Sequence, residues 1–243
     1  MNNTFATVSG KGGVGKSTFS VGLGLAFARL NKRVLLVDLD AGLRCLDLML
    51  GVDEAAVFDL SDILNGKEIA SAVYPCEINE NLFLIPAPAS GEIPVGEDFT
   101  KFALAVSEMF DIVIFDFPAG INTPIYKCLP ESTLFLTVAV PDPVSVRDAG
   151  AVSESLSLEG LKSRLIINRF VRKQHRKYPF KNIDEIIDGT NTRLVGIIPE
   201  SEELRLISVT QKISGRGRAN AAFTRIAKRL GGEKILLPKL KII

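Results

Sequence analysis

Two lysines, Lys11 and Lys16, flank a glycine cluster in the stretch GKGGVGKST at residues 10–18. Gly10, Gly15, Lys16 and Ser17 fit the spacing G-x-x-x-x-G-K-[ST], the pattern of a loop that wraps phosphate groups. The glycines, Gly12 and Gly13 included, let the backbone turn so that successive amides converge on phosphate oxygens. The helix that follows adds its positive end. Lys16 is expected to neutralise β/γ-phosphate charge and the Ser17 hydroxyl to ligate Mg²⁺, with Val14 and Thr18 completing the nucleotide-binding stretch. Holding one set of phosphates explains one lysine and leaves Lys11 over.

Other segments supply the carboxylates that such a site needs. Asp38 and Asp40 end RVLLVDLD, and Asp116 ends DIVIFD, so all three can project into a crevice beside the phosphates. A hard ion that keeps several waters is held through one or two carboxylates plus substrate phosphates. Asp116 is therefore expected in the Walker B role, with Ser17 and Asp38 as further metal-site residues. Asp38 or Asp40 would orient metal-bound and attacking water, so Asp40 joins Lys11 and Lys16 as a catalytic candidate. Taken singly, each aspartate also fits a strand-end turn or cap. The N-K-x-D turn common in guanine-specific loops is missing: the corresponding strand end reads Asn168, Arg169, Phe170, Val171, which favours ATP over GTP.

These residues need a scaffold that brings strand ends together. Short apolar runs recur at residues 5–9, 33–38, 81–86, 111–116, 133–140, 164–168 and 193–199, rich in Val, Ile, Leu and Phe without polar alternation. That pattern suits strands covered on both faces. Between them lie helical spacings such as Phe19, Leu23, Phe27 and Leu30, or Phe223, Ile226, Ala227 and Leu230. The alternation implies an α/β fold of P-loop NTPase type, a doubly wound, mostly parallel sheet flanked by helices. With 243 residues, 47% of them hydrophobic, the chain is expected to form one domain over 1–243, with a short apolar and basic tail at 231–243.

A formal charge of +1 argues against a globally basic nucleic-acid binder. Cys45, Cys76 and Cys128 stand apart without metal-ligand spacing, which fits a reducing cytosol. There is no apolar window of the roughly 18 residues needed to span a bilayer, and no signal-like start, so a cytoplasmic protein is expected. Residues 86–98, dense in Pro and Gly, and the basic run 169–181 are expected as loops.

Taken in order, KGGVGKST, VDLDAGLRCLDLMLG (37–51), DIVIFDFPAGI (111–121), VPDPVSVRDA (140–149), LIINRF (165–170) and LVGIIPE (194–200) resemble the deviant Walker A ATPases of the MinD/ParA family. The resemblance runs from about residue 4 to 230 and implies an ATP-dependent homodimeric switch, with Mg²⁺, released by hydrolysis of ATP to ADP and phosphate. It also gives Lys11 a role, because the family's signature lysine reaches across the dimer to phosphates held by the other subunit, much as an arginine finger does. The rival reading keeps Lys11 as an exposed loop charge in its own subunit. The resemblance further implies adenine contacts at Asn168 and Arg169, with Pro199 and Glu200 on the neighbouring loop, and division-inhibitor and activator partners of the Min type. Arg147 and Asp148 match an element given no chemical role, and could be helix-start residues.

The sequence departs from the pattern in places. Family members nearest this pattern end in a basic amphipathic helix lying on the membrane, whereas Pro238 interrupts GGEKILLPKLKII (231–243). Two readings of that tail stand, peripheral lipid contact at the inner membrane face or a strand packed on the body. Phe117 stands where Ser or Thr is common, and Cys45 where Asn is usual. Within the same family, a DNA-partition ATPase stays open through the 169–181 cluster and Arg216, Arg218, Arg225, Lys228 and Arg229, as does a flagellar-number regulator. An iron–sulfur carrier would need closely paired cysteines.

Overall fold

A computed structural model describes residues 3–171, 180 and 182–237. The first apolar run forms β1 (Thr4–Val8), buried throughout, and the glycine-rich segment leads from it into α1 (Lys16–Ala28). There follow β2 (Val34–Asp38), α2 (Cys45–Leu50), α3 (Leu60–Leu64), a 3₁₀ turn (Ile69–Ala72), β3 (Tyr74–Pro75), β4 (Leu82–Ile85) and α4 (Glu97–Met109). Next come β5 (Ile112–Asp116), α5 (Thr123–Tyr126), β6 (Leu134–Ala139), α6 (Pro143–Leu158), β7 (Ser163–Phe170) and α7 (Ile183–Thr190). The described chain closes with β8 (Leu194–Pro199), α8 (Glu202–Arg205), α9 (Ile207–Thr210) and α10 (Gly217–Leu230).

Among the described residues these strands form one sheet in the order β3-β4-β2-β5-β1-β6-β7-β8. The pairs are parallel except β3 with β4 at the edge. Successive strand residues point to opposite faces. Phe5 accordingly joins a cluster with Phe19, Leu36 and Phe223, while Ala6 joins one with Phe99, Phe115 and Phe135. Apolar side chains cover both sides of the central strands, which is why these strands carry no polar alternation. The expected doubly wound α/β architecture is the one observed.

Helix α1 is held against the body by α10. Phe223 stacks at a tilt on Phe19, centroids 5.9 Å apart, and a Cβ at Gly22 would sit 2.3 Å from the Phe223 ring. The glycine therefore allows a close approach that fixes where the loop-bearing helix starts.

Several expectations need adjustment. Leu30 lies past the end of α1 and is 37% exposed, because the helix stops before Arg29. The loop expected over 86–98 ends at Gly96, since Glu97 and Asp98 already form the first turn of α4. Arg147 and Asp148 lie inside α6, whose start is capped by Asp142 accepting from the amides of Val144 and Ser145. Arg169 and Phe170 are strand, and 172–179 and 181 of the basic run lie outside the described residues. Of the tail, 231–237 form neither helix nor strand, and 238–243 lie outside the described residues. Among the described residues no helix is long and apolar enough to cross a membrane.

Candidate phosphate-binding site

The sheet register assembles the site. Thr7 of β1 lies opposite Asp116 of β5, and Asp116 lies opposite Asp38 of β2, so three adjacent strands end with polar side chains beneath the glycine loop. Gly15 caps α1 in the left-handed conformation at φ 84°, a region that favours glycine. No side chain caps this helix start and no acidic residue occupies its first turn, so its amides remain available to an anion. Gly10 serves a different purpose. A Cβ there would lie 2.4 Å from the Asp148 carbonyl oxygen, so the loop's first residue is pressed against the backbone of α6.

Lys16 is only 7% exposed, and its Nζ lies 3.4 Å from Asp116 Oδ1. The same oxygen accepts from Thr7 Oγ1 and from Ser20 Oγ, both at 2.8 Å. Among the described residues, Asp116 Oδ2 is buried with no hydrogen-bond partner. Asp38 is buried beside it and accepts from the Asp40 amide at 2.9 Å and the Leu46 amide at 3.2 Å, tying the segment after β2 back to the strand end. Burial, and then the neighbouring Asp116 charge, push the Asp38 carboxyl up to about 7, with the two amides pulling the other way. Asp40 is also raised by burial, against the opposing pull of Lys16.

A cleft of about 490 Å³ runs over the loop, walled by Lys11, Gly12, Gly13, Val14, Gly15, Lys16, Ser17 and Thr18 together with Asp40 and Arg169. A second lobe of about 290 Å³ shares Gly15, Thr18, Met49 and Arg169 with it and adds Asn168, Pro199 and Glu200. The four residues implied as adenine neighbours thus meet in one place next to the loop. A bulge between Ile167 and Phe170 places Arg169 at φ 52°. Asn168 is 5% exposed and donates from Nδ2 to the Val14 carbonyl. Gly10, Asp38 and Asp116 do not wall the cleft; they lie behind it. Lys11 is exposed on the cleft wall and makes no ion pair among the described residues.

Sequence reasoning missed Thr7 and Ser20, and also the cleft-wall residues Leu43, Cys45, Met49, Pro118 and Ala119. The only signal for Thr7 and Ser20 was a hydroxyl in a mostly apolar strand and another one turn beyond Lys16, neither of which has a motif spacing. Cys45, Cys76 and Cys128 are free thiols. Among the described residues no cluster of three or more His, Cys, Asp or Glu is placed to hold a metal. Any ion here would depend on a hydroxyl, waters or bound phosphates for its remaining ligands.

A doubly wound sheet whose first strand runs through a glycine loop into a helix start, with Lys16 and two strand-end carboxylates gathered there, defines a P-loop nucleotide-binding protein. Residues 5–213 match the CobQ/CobB/MinD/ParA nucleotide binding domain, and the chain belongs to that family. It is 32% identical over 246 aligned residues to the septum site-determining protein MinD of Thermotoga maritima, covering 98% of this chain and 91% of that protein. Its fold is similar to MinD in the MinC:MinD cell division protein complex of Aquifex aeolicus, with TM-score 0.86, 30% identity, and 98% and 99% of the two chains covered. MinD of Pyrococcus horikoshii complexed with Mg-ADP gives TM-score 0.82 at 25% identity, covering 97% of this chain and 100% of that one.

Proposed function

We propose that this chain is an ATP-dependent switch of the MinD kind, one that regulates where the division septum forms. Two copies would pair when each holds ATP, and hydrolysis to ADP and phosphate would release them. The observation that carries the reading is the cleft wall itself, where buried Lys16 is poised at the helix start and Lys11 stands exposed a few residues away, with no ion pair among the described residues. One lysine suits phosphates in its own cleft; the other is free to reach those of a second copy, where a cation donated in trans stabilises charge on the departing phosphoryl group.

The 1–243 chain would act as one unit with the following roles. Backbone amides of residues 10–18 and the Lys16 ammonium hold the phosphates. Asn168, Arg169, Pro199 and Glu200 flank the base. Asp40, on the segment tied to Asp38, orients the attacking water. Asp116 Oδ2, buried and without a partner among the described residues, fits a group that brings positive charge, and Ser17, Asp38 and Asp116 are the residues that would hold Mg²⁺. When bound, Mg²⁺ neutralises β/γ-phosphate charge. The MinC:MinD cell division protein complex to which the fold is similar supports a division-inhibitor partner of the Min type, and an activator partner and a place at the cytoplasmic face of the membrane belong to the same proposal. Peripheral lipid contact would come through 231–243, where Leu236 is 89% exposed.

DNA partition is the competing use of the fold. Of the basic residues near α10, Arg229 already donates to the carbonyls of Val195, Ile235 and Leu236, which removes it from a phosphate-binding patch. The test sizes the protein with ATP, with ADP, and as Lys11→Ala with ATP, then sediments the same samples with anionic vesicles and with duplex DNA. Dimers only for wild type with ATP, pelleting with vesicles, are expected. A wild type that stays monomeric with ATP defeats the proposal, and ATP-dependent, salt-sensitive pelleting with DNA replaces it with partition.

A further inference from the structure

We infer that Thr7 and Ser20 are positioning residues for Mg²⁺ capture: their hydroxyls pin one oxygen of Asp116 so that the other is held ready for the ion. The inference rests on the nucleotide-switch reading above and concerns two side chains that the phosphate-loop motif does not include.

Thr7 Oγ1, Ser20 Oγ and Asp116 Oδ1 form a closed triangle, with sides of 2.7 Å between the hydroxyls and 2.8 Å from each hydroxyl to the carboxylate. All three residues are buried, at 0% exposure each. Burying a hydroxyl in an apolar strand or helix interior is costly unless it is hydrogen-bonded, so this cluster needs its mutual partners to exist at all. Each hydroxyl has one proton to give, and both donate to Asp116 Oδ1, so the 2.7 Å edge between the hydroxyls is a close oxygen–oxygen contact held by their shared acceptor. Each hydroxyl has a fallback carbonyl, Phe115 for Thr7 at 3.2 Å and Lys16 for Ser20 at 3.3 Å, but both are longer than the contacts to Asp116.

The consequence falls on the opposite oxygen. With Oδ1 gripped from β1 and from α1, the carboxylate cannot spin about its last torsion, and Oδ2 keeps one direction while having no partner of its own among the described residues. An unsatisfied buried carboxylate oxygen is normally eliminated by a donor or a cation. Lys16 approaches Oδ1, not Oδ2, so when Lys16 turns to a phosphate the two hydroxyls remain and the aim of Oδ2 is preserved. Outer partners that orient a metal-holding carboxylate commonly carry about 10-fold to 100-fold of metal affinity.

The full chain is tested with a fluorescent ATP analogue, titrating Mg²⁺ in one series and adding EDTA in another, for wild type, Thr7→Val, Thr7→Ser and Ser20→Ala, with thermal melting of each. Thr7→Val and Ser20→Ala are expected to raise the Mg²⁺ concentration at half-effect by about tenfold. Thr7→Ser, which keeps the hydroxyl, restores the wild-type midpoint, and nucleotide affinity in EDTA changes less than about twofold throughout, because only the metal's ligand has been freed. Unshifted Mg²⁺ midpoints in folded variants, or an equal loss of affinity in EDTA, overturn the inference while leaving the nucleotide switch standing. A wild type whose nucleotide binding ignores Mg²⁺ overturns both.

Discussion

Asn168 lies across Gly15: its Nδ2 donates to the Val14 carbonyl at 2.9 Å, and a Cβ on Gly15 would stand 2.6 Å from that nitrogen. The end of β7 therefore clamps the exit of the glycine loop, and the loop's shape depends on a side chain more than 150 residues away in sequence. Gly15→Ala has to overcome both this overlap and a φ of 84°, so it should abolish nucleotide binding. Asn168→Ala leaves the Val14 carbonyl without its donor and should weaken nucleotide binding by about 1–3 kcal/mol. Calorimetric titration of the two variants checks the order; an Asn168→Ala protein that binds like wild type removes the clamp from the account.

Gly10 presents the opposite case, in which the obstacle is backbone. Its missing Cβ would meet the Asp148 carbonyl oxygen at 2.4 Å and carbonyl carbon at 2.7 Å. Gly10→Ala must push α6 away from β1, with an expected loss of about 1–3 kcal/mol in stability together with weaker nucleotide binding. Shortening the neighbour's side chain cannot help, so Gly10→Ala/Asp148→Ala should melt no higher than Gly10→Ala alone. Recovery in the double variant would place the conflict on the Asp148 side chain.

How far the sequence revealed all this depended on the kind of signal. Strands covered on both faces leave continuous apolar runs, so β1, β2, β4, β5, β6, β7 and β8 were each legible to within a few residues. Strand β3 is two residues long, at the antiparallel edge, and includes Pro75, so it left no run to find. Helices of four to six residues such as α5 and α2 are too short to show a period. In the site, the loop and the strand-end aspartates announce themselves by spacing and position. Thr7 and Ser20 acquire meaning only when the β1–β5 register brings residues 7 and 116 side by side, which is tertiary information. The close approach of Gly10 to α6 was equally hidden, since Asp148 lies in a helix interior and not at a cap.

The contact between α1 and α10 sets the position of the loop-bearing helix. Gly22 faces the Phe223 ring at a distance that no Cβ tolerates, and Phe223 is 1% exposed. Gly22→Ala should cost about 1–3 kcal/mol through overpacking, even though alanine favours a helix. Phe223→Ala should cost about 3–5 kcal/mol through the lost ring and its cavity. Because the ring is what the added methyl strikes, Gly22→Ala/Phe223→Ala should be less destabilised than the sum of its single changes. Denaturant unfolding of the four proteins measures the coupling, and strict additivity would show that the two sites do not touch.

Asp38 gives the nucleotide-free protein a pH dependence of definite sign. Its carboxyl is moved from 3.8 up to about 7, first by burial and then by Asp116 across the β2–β5 register. A carboxyl whose folded value is raised takes up a proton on folding, so its contribution is complete below about 3.8 and is lost progressively as pH climbs to about 7. Asp40 is raised as well and acts in the same direction. The melting temperature without nucleotide should therefore fall between about pH 5 and pH 7, then level off as far as these groups are concerned. Asp38→Asn cannot ionise and should remove most of that slope, while Asp116→Asn should shift it to lower pH without abolishing it, because burial, the larger cause, remains. A wild-type slope that survives unchanged in Asp38→Asn would assign the titration to another group.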